Sequence, residues 1–328
     1  MIKDTKRIMI TGAAGQIGSE LALVLRERYG ADRVLATDIV RPSKKVLDTG
    51  PFEPLNITER TDVERIFRKH DIDTIFHLAA ILSANGEKAP QKAWDVNING
   101  LYNVLETARG LGSVRIFTPS SIAVFGPATP RVRTPQDAIL DPTTMYGVTK
   151  VAGESLCNYY VQKYGLDVRG CRFPGIISHE TLPGGGTTDY AVAIFYDAVK
   201  NGRYTCFLRE DTSLPMMYMP DCLKSILDLM GADFSRLKHH ANFNVAAMSF
   251  TPGQLAAEIR KHIPAFVCEY APDFRQTIAD SWPVSLDDSA AREEWDWKPS
   301  FDLAAMTSDM LKILSKRHAE GTLNFQFP

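Results

Sequence analysis

Three sets of residues in this 328-residue chain have the types and spacing to do chemistry. Tyr146 and Lys150 are four positions apart, which on a helix stacks a phenol and an ammonium on one face. An ordinary tyrosine titrates near 10 and is a poor base at neutral pH. A neighbouring cation favours its phenolate, which could then take the proton of an alcohol. Thr118-Pro-Ser120-Ser121 follows a buried apolar run, and the Ser121 hydroxyl could hydrogen-bond the oxygen being oxidised. Gly12, Gly15 and Gly18 follow the run Ile8-Met-Ile-Thr11. A strand, a glycine-rich turn and a helix start of this kind let backbone N–H groups approach a dinucleotide pyrophosphate.

The tyrosine–lysine spacing recurs at Tyr159/Lys163 and Tyr196/Lys200, so position has to decide. Tyr146 opens a helix and should stand at the C-terminal edge of a parallel sheet, where such sheets bind ligands. Tyr159 lies further down the same helix, turned nearly the opposite way, and Tyr196 falls in a later region; both read as surface pairs. Asp38 ends the strand after the glycine turn, where a carboxylate would hold the ribose hydroxyls of adenosine and repel a 2′-phosphate. That favours NAD over NADP, with Arg41 nearby as a dissenting charge. Asn56-Ile57 falls where the adenine edge should rest. Small residues end His77-Leu78-Ala79-Ala80 and let backbone approach the cofactor, while His77 itself reads as a core histidine.

These groups need a frame. Strands are expected over 7–11, 33–38, 52–56, 74–78, 114–118 and 168–173, and helices over 17–29, 59–70, about 94–108 and 146–164. That alternation predicts an α/β fold with a doubly wound parallel sheet of the Rossmann type. It divides the chain into a cofactor domain over 1–175, returning near 216–250, and a smaller substrate-binding lobe over 176–215 and 251–328. Within the lobe, Pro183-Gly-Gly-Gly-Thr-Thr188 cannot be regular structure.

Composition removes several classes. With Lys+Arg 37 against Asp+Glu 39, the net charge is −2, so neither nucleic acid nor an anionic membrane is an expected partner. Hydrophobic residues at 45% and charged residues at 23% are ordinary globular values and argue against disorder. No apolar run reaches the ~18 residues that a bilayer requires. Five scattered cysteines, with no C-x-x-C and one adjacent histidine pair, point to reduced thiols in a soluble intracellular protein and to no metal site.

Six segments occur in a fixed order: Thr11 to Gly18, His77-Leu-Ala-Ala80, Val96-Asn97-Ile-Asn-Gly100, Ser120-Ser121-Ile-Ala-Val-Phe-Gly126, Tyr146-Gly-Val-Thr-Lys150 and Arg172-Phe-Pro-Gly175. As a set they resemble the extended short-chain dehydrogenase/reductase family, which includes sugar-nucleotide epimerases and dehydratases. The resemblance implies catalytic roles for Ser121, Tyr146 and Lys150. It implies cofactor contacts from Gln16, Ile17, Leu78, Ala79, Ala80, Asn97, Tyr146, Lys150 and Phe173, beside Gly12, Gly15, Gly18, Asp38, Asn56 and Ile57. Further segments, Ile81-Leu-Ser83-Ala, Leu182 to Tyr190 and Asp280-Ser-Trp282-Pro, are similar to the short-chain threonine dehydrogenase branch. That branch implies oxidation of the β-hydroxyl of L-threonine by NAD. For so small a zwitterion, Ser83, Thr187 and Thr188 could offer hydroxyls and Gly184 to Gly186 backbone N–H groups, with Ser121 and Tyr146 at the reacting oxygen; Trp282 reads equally as an apolar wall or a core residue, and the glycine-rich segment could close over the substrate. The branch also implies a homodimer through the helices at about 94–108 and 146–164. Cytoplasmic placement is expected, or the mitochondrial matrix for a eukaryotic source. The competing expectation on the same fold is a sugar-nucleotide 4-epimerase. It is disfavoured because Pro174-Gly175 stands where an asparagine is usual.

Overall fold

The computed structural model of the chain describes residues 2, 5–112, 114–180 and 186–323. Short apolar runs form β1 (Ile8–Thr11), β2 (Val34–Asp38), β3 (Phe52–Pro54), β4 (Thr74–His77), β5 (Arg115–Phe117), the two-residue β6 (Ser120–Ser121) and β7 (Asp167–Arg169). All except β6 lie in one sheet, in the order β3-β2-β1-β4-β5-β7. Every neighbouring pair in it is parallel, so the α/β class expected from the alternation is the one observed.

Side chains alternate across this sheet and are buried on both faces, as parallel strands between helix layers require. Ile8 and Ile10 join a core with Leu21 and Leu25 of the Gln16–Tyr29 helix and Ile226 and Met230 of the Met219–Gly231 helix. Met9, between them, joins the opposite core with Val63, Ile66, Val104 and Val161.

The later strands are β8 (Cys171–Phe173), β9 (Gly175–Ile177), β10 (Arg203–Cys206), β11 (Leu214–Tyr218), β12 (Phe243–Asn244), β13 (Met248–Phe250) and β14 (Val267–Tyr270). β8 lies between β6 and β12, β11 lies between β9 and β13, and β10 pairs with β14. A third core gathers the Tyr190–Asn201 helix, Leu255, Ile259, Met310 and Leu314. Ile122, Val124 and Phe125, directly after β6, dip into this third core and tie the serine loop to the second half of the chain. The five cysteines are free. Among the described residues no helix is long and apolar enough to cross a membrane.

Two elements depart from expectation. The single helix over 94–108 is broken into a helix at Pro90–Trp94, a π-turn at Asp95–Asn99 and a helix at Gly100–Leu111. The wider turn lets Asn97 pair with the backbone of Ile81, a tertiary demand that periodicity cannot show. The single strand over 168–173 is split at Gly170, whose N–H donates to the His240 carbonyl. A Cβ there would stand 2.2 Å from the Thr118 carbonyl oxygen, so the close approach that diverts the strand requires glycine.

Candidate active site

The glycine turn is built by backbone. Gly12 has φ +70°, and a Cβ on Gly18 would stand 2.1 Å from the Gly12 carbonyl oxygen. No side chain caps the Gln16–Tyr29 helix at Gly15. The buried Gln16 Nε2 has no partner. A tight cradle at a helix N-terminus, with an unpaired donor inside it, fits the pyrophosphate of a dinucleotide. Asp38, at the end of β2, accepts from the Ala14 N–H at 2.9 Å and the Val40 N–H at 3.0 Å, which fastens the carboxylate to the turn with lone pairs to spare.

One cleft of about 240 Å³ opens from this turn. Into it come Gly12, Gly15, Gln16, Ile17 and Gly18 on one side, Leu78, Ala80 and Phe173 along the sheet edge, and Ser121, Tyr146 and Lys150 at the centre. Ser83, Gly186, Thr187, Thr188 and Trp282 form the opposite side. Trp282 is both cleft wall and buried core residue, so the two readings of it coincide. The remaining expected residues sit apart. Asn56 Oδ1 accepts from Thr58, and Ile57 is buried in the core against Gly100. Ala79 and Asn97 line a second, smaller cavity below Lys150. Gly184 and Gly185 lie outside the described residues.

Thr144 caps the Met145–Tyr164 helix by accepting from the Gly147 N–H at 3.0 Å, which puts Tyr146 in the first turn at the sheet edge. Burial pushes the Tyr146 hydroxyl up to about 12, opposed by its hydrogen bond with Ser121. Lys150 Nζ lies 5.5 Å from the Tyr146 ring centroid and donates to the Pro119 carbonyl at 2.7 Å. Burial pushes this ammonium down to about 8. In the chain alone, then, desolvation outweighs the cation, and at neutral pH the pair is phenol and ammonium.

The alternative tyrosines are elsewhere. Tyr159 is half exposed, as expected, while Tyr196 is buried and donates to the His179 carbonyl at 3.1 Å. The surface reading of Tyr196 fails because its helix is covered on most faces by the third core. His77 is a core histidine, with Nδ1 2.9 Å from Thr11 Oγ1. Leu82, Ile122, Ile176 and Asp189 also line the cleft and were not foreseen. Asp189 follows the two threonines directly and was the one with a local signal.

The model of the NAD dependent epimerase/dehydratase family matches residues 8–246. An uncharacterized epimerase/dehydratase of Staphylococcus haemolyticus is 52% identical over 314 residues, covering 95% of this chain and 98% of that protein. The solved L-threonine dehydrogenase from Clostridium difficile superimposes with TM-score 0.93 at 53% identity, covering 95% of this chain and 98% of that one. A monomeric L-threonine 3-dehydrogenase from a metagenome does so with TM-score 0.91 at 48% identity, covering 94% and 99%. With the match running from the glycine-rich turn through β12, the chain belongs to the NAD-dependent epimerase/dehydratase family.

Proposed function

We propose that this chain oxidises the β-hydroxyl of L-threonine to 2-amino-3-oxobutanoate, with NAD as the oxidant, in threonine breakdown. The observation that carries the reading is the convergence of Ser121, Tyr146 and Lys150 on a cleft bounded by Gly12–Gly18 on one side and by Thr187, Thr188 and Trp282 on the other. The similarity to solved L-threonine dehydrogenases over nearly the whole chain supports the substrate.

Gly12, Gly15, Gln16, Ile17 and Gly18 hold the pyrophosphate, and Asp38 the adenosine ribose. Leu78, Ala80 and Phe173 line the path toward the nicotinamide. NAD, when bound, supplies the acceptor for the hydride that leaves the β-carbon. Tyr146, as phenolate, takes the hydroxyl proton. Ser121 bonds the same oxygen as it becomes a carbonyl, and Lys150 keeps a positive charge beside the phenolate. The hydroxyls of Ser83, Thr187 and Thr188 receive the substrate carboxylate, with the methyl against Trp282, while the Gly186 N–H, expected beside them, is held by Asp189 Oδ2 at 2.6 Å. Because burial holds the Tyr146 proton tightly, oxidation rises as pH goes up from neutral, and it falls again where the Lys150 ammonium, brought down to about 8 by burial, loses its proton.

The test is NADH formation with L-threonine, beside L-serine, D-threonine and UDP-glucose, with NADP replacing NAD in a parallel series. Turnover confined to L-threonine and NAD is expected. Conversion of UDP-glucose to its 4-epimer without L-threonine oxidation, read as the sugar product because epimerisation returns the hydride and leaves no net NADH, would transfer the site to the sugar-nucleotide 4-epimerase reading. We further propose pairing of two copies through the helices that expose Tyr102, Tyr159 and Tyr164. A single-chain mass by light scattering would overturn it, as the monomeric relative makes a live outcome. Staphylococcal relatives favour the cytoplasm and lend no support to a mitochondrial location.

A further inference from the structure

Below the cleft lies the smaller cavity of about 20 Å³, lined by His77, Asn97, Ser120, Thr149, Lys150 and Glu154. Glu154 has no part in the mechanism above. It stands four residues after Lys150, hence on the same helix face, and is almost wholly buried. Arg172 of β8 grips its carboxylate with two bonds, Nε to Oε1 at 2.9 Å and Nη2 to Oε2 at 2.8 Å. Ser120 Oγ donates to Oε1 at 2.5 Å. Arg172 also donates to the Gln136 carbonyl at 2.8 Å and to Asn244 Oδ1 at 3.2 Å. A buried ion pair is weak evidence of stability, since well-packed apolar residues often serve as well. Its placement asks for another reason.

Successive residues of a strand point to opposite faces. Ser120 turns its hydroxyl to Glu154, and Ser121, next in β6, bonds Tyr146. The twin serines therefore divide the work: one fastens β6 to the helix that carries Tyr146 and Lys150, and the other faces the chemistry. The groups facing Lys150 are Tyr146, Glu154 and Cys157 from its own helix, His77 from β4 and the Pro119 carbonyl. Burial, together with Lys150, pushes His77 down to about 3, so it is neutral. Burial pushes Cys157 up to about 12, so it stays a thiol. Cys157 and then Glu154 oppose the loss of the Lys150 proton, and of the two Glu154, gripped at both oxygens by Arg172, is the carboxylate.

We propose that Glu154 is a positioning residue for the proton transfer: through Ser120 it fixes the strand that presents Ser121, and through its charge it keeps Lys150 an ammonium. The proposal rests on the roles given above to Tyr146 and Lys150. The first measurement is the Lys150 ammonium titration by nitrogen NMR, without substrate, in wild type and Glu154→Gln. The midpoint should fall by about one pH unit in the variant, with Arg172 partly offsetting the lost charge. The alkaline limb of kcat should move down by the same amount. Ser120→Ala, which keeps the charge and loses only the tie, should leave the midpoint in place and lower kcat about tenfold at unchanged KM for NAD and near-native Tm.

An unmoved midpoint in folded Glu154→Gln, or full kcat in Ser120→Ala, reduces Glu154 to a structural brace and overturns the proposal. Should Glu154→Gln fail to fold, Ser120→Ala decides alone. If wild type does not oxidise L-threonine, the substrate reading falls while the titration still decides the role of Glu154.

Discussion

The two sides of the cleft are built in opposite ways. The side proposed to hold the cofactor is one contiguous stretch, Gly12 to Gly18, made of backbone and pinned between β2 and β4 by β1. The side proposed to hold the substrate is assembled from Ser83, Gly186 to Thr188 and Trp282, three segments far apart in the chain that meet only in the fold. A wall of backbone recognises a group common to many cofactors and tolerates no side chain where the chain closes on itself. A wall of side chains carried by loops can be retuned one residue at a time. Affinity for the common ligand and choice of substrate therefore reside in different kinds of structure.

Substitutions should sort along that line. Tyr146 stands between the walls, and Tyr146→Phe should lower kcat by about a thousandfold while NAD binding, followed by fluorescence titration, is retained. An active Tyr146→Phe would remove the tyrosine from the centre of the comparison. Gly18→Ala places a Cβ 2.1 Å from a carbonyl oxygen, so the turn must open. NAD affinity should fall about a hundredfold, with a lower Tm; wild-type affinity would mean that the backbone wall is not where the cofactor sits. Thr188→Val deletes one hydroxyl at nearly constant shape. KM for L-threonine should rise about tenfold with the Kd for NAD unmoved, and a change in NAD binding instead would show that the walls are not separable. The smallest effect belongs to Trp282→Phe, a change of a few fold in KM. Its steady-state fluorescence difference should isolate the signal of the cleft tryptophan on substrate addition, and a substrate-silent Trp282 would remove it from the wall.

The glycine turn, its flanking strands and the carboxylate at the end of the second were legible in the chain because their signals are local. A glycine spacing, an apolar run and a carboxylate at the end of the next strand lie within one βαβ unit, and the sheet order follows from winding rules. Much of the rest depends on partners remote in sequence. Asn97 draws a π-turn because of Ile81, Gly170 ends a strand because of Thr118 and His240, and Tyr196 is buried by helices that arrive later in the chain. Glu154 looks, along its helix, like an ordinary carboxylate one turn from a lysine. Only the fold brings Arg172 and Ser120 onto it. The Tyr146–Lys150 spacing was readable, but the dominance of burial over charge at that pair was not, since desolvation is a property of the assembled site.

The break at Gly170 has a consequence for how the molecule comes apart. Between Asp167 and Ile177 the backbone passes through β7, β8 and β9, which belong to three different sheets. One short span of chain is thus a shared seam, and releasing any of the three sheets from it pulls on the other two. Partial opening that frees one half while the other stays folded is suppressed by this topology. The amides of β8 and β9 should accordingly exchange with solvent only in the slowest, whole-molecule event.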